Sequence, residues 1–192
     1  MYTPQEALKE LLDGNHRYVS GKIIHTRRSH HRREEVALRQ FPIAAVVGCS
    51  DSRVPLEVVF DHGFGDLFVI RCAGNVVGPL SLASIEFAVH YLNVPLILVL
   101  GHSRCSAIQA AMHGDKAPGH IPELIKAIHP AVKVVKKATP ASWDRGVKSN
   151  VTYVVKDVVK KSRIVSGGIK KCKVAIVGGF YDLDTGKVSL LK

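Results

Sequence analysis

The chain has 192 residues, enough for one domain with a sizeable core, and its 46% hydrophobic content sets it apart from disordered tails. The longest apolar run near the middle, Val94 to Leu100, is far too short to cross a bilayer, so no membrane role is expected. The net charge of +11 would suit a nucleic-acid partner, but the cations are scattered. One cluster stands out (His25, Arg27, Arg28, His30, His31, Arg32 and Arg33), and it lacks the aromatic residues that base stacking requires; it reads as a solvated basic face, with no nucleic acid as partner.

Met1 leads into Thr3, Pro4, Gln5 and Glu6, which reads as a helix start rather than a secretory leader, and so points to the cytoplasm. Pro4 to Tyr18 then carries Ala7, Leu8, Leu11 and Leu12 at helical spacing, with Gly14 or Asn15 placed to end or bend the helix. A basic loop and a short helix around Arg33 to Arg39 follow. Four near-continuous apolar runs read as strands buried on both faces: Ile43 to Gly48, Leu67 to Arg71, Leu96 to Leu100 and Lys173 to Val177. Helical stretches separate them at Leu80 to Leu92, Ser106 to Met112 and Val147 to Val165, while Pro118 to Pro122 and Thr139 to Trp143 read as loops. The alternation predicts an α/β fold, a mostly parallel central sheet flanked by helices, in one domain over residues 1–192 with an N-terminal helical arm.

Ligands bind at the carboxyl ends of strands in such sheets. The first strand ends in Cys49-Ser50-Asp51-Ser52-Arg53 and the third in His102-Ser103-Arg104-Cys105. Thiolate and imidazole are preferred zinc ligands, and three of them leave the fourth tetrahedral position for a water. Taken singly, each cysteine reads as a small buried hydrophobe and the histidine as a structural hydrogen bonder. Their convergence on one sheet edge beside Asp51 and Arg53 favours Cys49, His102 and Cys105 holding one Zn2+ per chain. Asp51 is placed to accept a hydrogen bond from the activated water, and Arg53 to orient Asp51 through a bidentate contact. Cys72 and Cys172 read as core packing, and Arg71 as an interface residue or a partner of Asp182 or its neighbours.

Beyond the two clusters, the chain carries Gly65-Asp66-Leu67-Phe68-Val69-Ile70-Arg71, Ala73-Gly74-Asn75, Ser84-Ile85-Glu86-Phe87-Ala88 and Gly178-Gly179-Phe180-Tyr181-Asp182-Leu183-Asp184-Thr185-Gly186. Together and in this order they resemble the β-class carbonic anhydrases. The resemblance implies zinc on Cys49, His102 and Cys105, an Asp51–Arg53 catalytic dyad, and reversible hydration of CO2 to bicarbonate by water activated to hydroxide. It also implies a homodimer or a higher assembly of dimers, the N-terminal helix embracing a neighbour. Relatives on this scaffold hydrolyse carbonyl sulfide or carbon disulfide, and a noncatalytic zinc-binding homologue is the other alternative. Two positions depart from the family pattern. His62 stands where many members have Gln, at a substrate-side position, and reads either as a proton shuttle or as a plain hydrogen-bonding replacement. Ser106 stands where Gly is usual, placed to crowd the turn or cap the following helix. Val46 replaces a Trp that serves bicarbonate regulation in some members, so that regulation is not expected here.

Overall fold

The computed structural model describes residues 2–24, 27–135 and 139–191, so His25 of the basic cluster lies outside the described residues. Five strands form one sheet in the order β2 (Leu67–Arg71), β1 (Ala44–Gly48), β3 (Leu96–His102), β4 (Ala175–Tyr181) and β5 (Val188–Leu190). The first four run parallel, and β5 returns antiparallel on β4. Alternate residues of β1 and β3 face opposite layers, as the strand period dictates. Ala44, Val46, Leu96, Leu98 and Leu100 pack under α1 (Pro4–Val19) and α3 (Leu56–Val59). Ala45, Val47, Ile97 and Val99 pack under α4 (Pro79–His90), α7 (Pro140–Lys161) and α8 (Arg163–Lys170). Among the described residues no helix is long and apolar enough to cross a membrane.

The chain leaves β1 toward β2 and comes back past it to β3, so β1 and β3 flank the point where strand order reverses. Loops leaving two such strands diverge and open a crevice. Cys49 follows β1 directly and His102 ends β3, so both fall on this crevice.

α1 neither ends nor bends at Gly14 and Asn15; it runs on to Val19. Gly14 is there for close approach, since a Cβ would sit 1.9 Å from the Phe60 carbonyl oxygen. Asn15 is buried, and its Nδ2 donates to the Val59 and Gly186 carbonyls at 3.1 and 2.9 Å. Its Oδ1 accepts from the Val188 N–H at 2.8 Å. Asn15→Ala strands these backbone groups out of reach of water and should cost about 3 kcal/mol, read as a lower urea midpoint at unchanged slope.

Several local expectations are corrected. The short basic helix, α2, spans His30–Glu35 because Ser29 caps it, accepting from Arg32 N–H at 3.1 Å. The stretch Pro118 to Pro122 runs into a helix, α6 (Ile121–Val132), because Pro122 sits in its first turn, where no N–H is needed. Thr139 is likewise the N-cap of α7. The helix expected over Val147 to Val165 breaks at Ser162, whose Oγ caps α8 and donates to Glu86 at 2.6 Å. Cys172 is no core residue: it is exposed, at φ 54° in the turn after α8. Cys72 is half-buried.

The basic cluster is also more than a solvated face. Arg27 pairs with the buried Asp66 at 2.7 Å, Arg28 donates to the His62 carbonyl at 3.0 Å, and Arg32 to the Phe64 carbonyl at 3.2 Å. Arg17 of α1 adds a 2.8 Å pair with the buried Asp61. These arginines fasten the 61–66 loop to the N-terminal segment. His30, His31 and Arg33 stay at the surface.

Candidate metal centre

Cys49, His102 and Cys105 come together. One potential ligand atom from each lies within 4.8 Å of the others, and all three residues are buried. The thiols are 3.9 Å apart. They sit in an apolar cluster with Ile108, Ile128, Val147 and Phe180, beneath α5 (Ser106–His113), α6 and α7.

The histidine is oriented by its neighbour. Its Nδ1 lies 2.9 Å from the Ser103 carbonyl oxygen, which can only accept, so Nδ1 carries the proton and Nε2 keeps its lone pair. Nε2 is buried and finds no hydrogen-bond partner among the described residues. An orphaned imidazole lone pair beside two thiols is costly unless a cation takes it up. The donor set, two thiols and one imidazole, is one that zinc prefers, so the residues fit the metal.

The thiols are already biased toward ionisation. A hydrogen bond from Cys105 holds Cys49 well below the ordinary thiol range, against the cost of burial, and the Gly74 N–H lowers it further. That N–H donates to Cys49 Sγ at 3.2 Å. The same thiol pair and burial push Cys105 up. The two sulfurs thus share a proton that a bound cation would displace.

Asp51 and Arg53 stand beside the cluster. Arg53 grips Asp51 with two parallel bonds, Nε to Oδ1 at 2.9 Å and Nη2 to Oδ2 at 2.7 Å. The side-chain bond from Arg53 is the main reason the Asp51 carboxyl is held well below the usual carboxylate range. Asp51 Oδ2 lies 3.7 Å from His102 Nε2. Arg53 also reaches the Arg104 carbonyl at 3.4 Å, which ties the dyad to the second ligand loop.

That second loop is clasped by the β4–β5 turn. Ser103 Oγ accepts from the Leu183 N–H at 2.9 Å, and Arg104 forms a bidentate pair with Asp184 at 2.8 and 2.7 Å. Ser106 is the exposed first residue of α5 and makes no capping bond; Cys105 holds the N-cap position. His62 is buried, with Nδ1 3.6 Å from Asp66, and its Nε2 finds no partner among the described residues. The contacts of His62 are to the 57–66 region and Arg28, not to the three potential ligands.

Sequence reasoning missed one neighbour of the site. Arg71 contacts neither Asp182 nor its neighbours; its guanidinium donates to the Cys49 carbonyl at 2.9 Å and the Asp51 carbonyl at 2.7 Å. Its position at the end of β2, paired with Gly48 just before Cys49, was the available signal.

Comparison with known proteins places these residues in context. A family model described as carbonic anhydrase matches residues 44–188. The chain is 38% identical to a carbonic anhydrase of Mycolicibacterium smegmatis over 97% of this chain and 93% of the relative. It is 38% identical to carbonic anhydrase 2 of Mycobacterium tuberculosis, over 97% and 92%. The Coccomyxa β-carbonic anhydrase in complex with acetazolamide superposes with a TM-score of 0.75 at 28% identity, covering 96% of this chain and 86% of that one.

Proposed function

We infer the reaction from kinship: the chain belongs to the β-class carbonic anhydrase family, and it is a zinc-dependent lyase that reversibly hydrates CO2 to bicarbonate and a proton. The observation that carries this reading is the buried His102 Nε2, partnerless beside the Cys49 and Cys105 thiols. We assign these three residues as the zinc ligands. Zinc held there supplies Lewis-acid activation of water.

The remaining steps fall to the protein. Asp51, kept ionised by Arg53, accepts a hydrogen bond from the reacting water and so fixes its orientation toward CO2. Arg53 keeps both carboxylate oxygens engaged, which restrains Asp51 from turning into the ligand set. We keep His62 as a substrate-side candidate on the family resemblance alone; its contacts run to Asp66, Glu57 and Arg28.

We further assign the chain to one domain that assembles as a homodimer or a higher assembly of dimers. The edge of β2 is unpaired among the described residues, and Phe87 and Tyr91 stack in series from Phe68 beside it. Leu38 and Phe41 are 94% and 75% exposed nearby, an arrangement costly to leave in water. Analytical ultracentrifugation should show at least a dimer at micromolar concentration; an active monomer would overturn this. A cytoplasmic location suits the site, because two thiols 3.9 Å apart must stay reduced to bind metal.

The decisive measurement is stopped-flow CO2 hydration with zinc content determined on the same sample. About one zinc per chain is expected, with turnover well above the buffer rate. Zinc-loaded protein with no such turnover would overturn the assignment, and carbonyl sulfide turnover exceeding CO2 hydration would redirect it.

A further inference from the structure

The geometry points to Arg71 as a positioning residue: by gripping the carbonyls of Cys49 and Asp51, its guanidinium holds the metal ligand and the dyad carboxylate in working register. This rests on the assignment of Cys49 and Asp51 given above.

The reason lies in where the sheet stops. β1 and β2 pair in register up to Gly48 and Arg71, and the last backbone bond runs from the Cys72 N–H to the Gly48 carbonyl at 3.2 Å. Beyond it the chain turns into a single 3₁₀ turn, Ala73–Asn75, and its backbone leaves the ladder. The Gly74 N–H is taken by Cys49 Sγ, so it cannot serve the next carbonyls. Arg71 serves them instead, Nε on Cys49 at 2.9 Å and Nη2 on Asp51 at 2.7 Å. The two acceptors lie on either side of Ser50, so one rigid fork fixes the backbone between them. A lysine ammonium is a single point of charge without that fork.

Asp51 is therefore held twice, its carboxylate by Arg53 and its carbonyl by Arg71. Both of these acceptors are backbone carbonyls, so Arg71 acts through the backbone of residues whose side chains serve the site. Its contribution should appear in the geometry of the metal site and in turnover, more than in substrate affinity.

The test compares wild type, Arg71→Ala and Arg71→Lys, each loaded with zinc and, separately, with cobalt(II). Cobalt–thiolate absorption, kcat and KM per metal-loaded chain, and the urea midpoint are measured. Arg71→Ala should lower kcat by about 10–100-fold with KM little changed, and should shift the cobalt–thiolate bands. Arg71→Lys should fall between it and wild type in both. Wild-type cobalt bands with wild-type kcat per loaded chain, in either variant, would overturn the inference, whatever the urea midpoint does. Should wild type bind cobalt yet fail to hydrate CO2, the functional assignment falls while the spectra still decide the role of Arg71.

Discussion

Replacing Arg53 with alanine should leave zinc in place while CO2 hydration falls about 100-fold. The guanidinium makes both of the parallel bonds that orient the Asp51 carboxylate, at 2.9 and 2.7 Å. Without them Asp51 keeps its charge but loses its direction. One of its oxygens already lies 3.7 Å from His102 Nε2, so the freed carboxylate is drawn toward the metal and competes with the reacting water. Metal content separates this from simple loss of the ion. Near-wild-type rates in the zinc-loaded variant would remove Arg53 from the mechanism.

Cys49→Ser and Cys105→Ser act at the other end of the same site. Each removes a thiolate from a donor set of three, and a serine hydroxyl is a far weaker zinc ligand. Zinc should fall from about one per chain to about a tenth or less after dialysis, with hydration at the buffer rate. Because the thiols sit in an apolar cluster with Ile108, Ile128 and Val147, each serine also buries a hydroxyl among hydrocarbon. A lower urea midpoint is therefore expected as well. Full zinc retention in both variants would rule the two cysteines out as ligands.

The site was legible in the sequence to the extent that its parts lie at strand ends. Val46 and Val47 before Cys49, and Leu98 to Leu100 before His102, are buried runs that mark adjacent parallel strands, so the ligand clusters had to meet on one edge. What stayed hidden has physical causes. β4 was expected to end at Val177 but runs on to Tyr181 through two glycines kept small by different neighbours: a Cβ at Gly178 would lie 2.8 Å from Val151 Cγ1 of α7, and one at Gly179 would lie 3.0 Å from Leu100 Cδ1 of β3. β5 has three residues of which only Val188 is buried, too little for a pattern to register. Pro122 and Pro130 concealed α6, although the first occupies a permitted position and the second lies in the final turn. Arg71 was missed for another reason. Its partners are backbone carbonyls, which every residue carries, so no residue type announces the contact.

The Asn15 contacts also set an order of events during synthesis. Two of its partners, the Gly186 carbonyl and the Val188 N–H, lie 171 and 173 positions downstream. Until residue 188 has emerged from the ribosome, the first helix has only Val59 to hold its buried amide. Such non-local contacts reward the chain only after their loop-closure entropy has been met. α1 meets Phe60 and Asp61 without that loop, so its packing on β1 and β3 can precede the two distant Asn15 bonds, which lock only when the β4–β5 turn arrives.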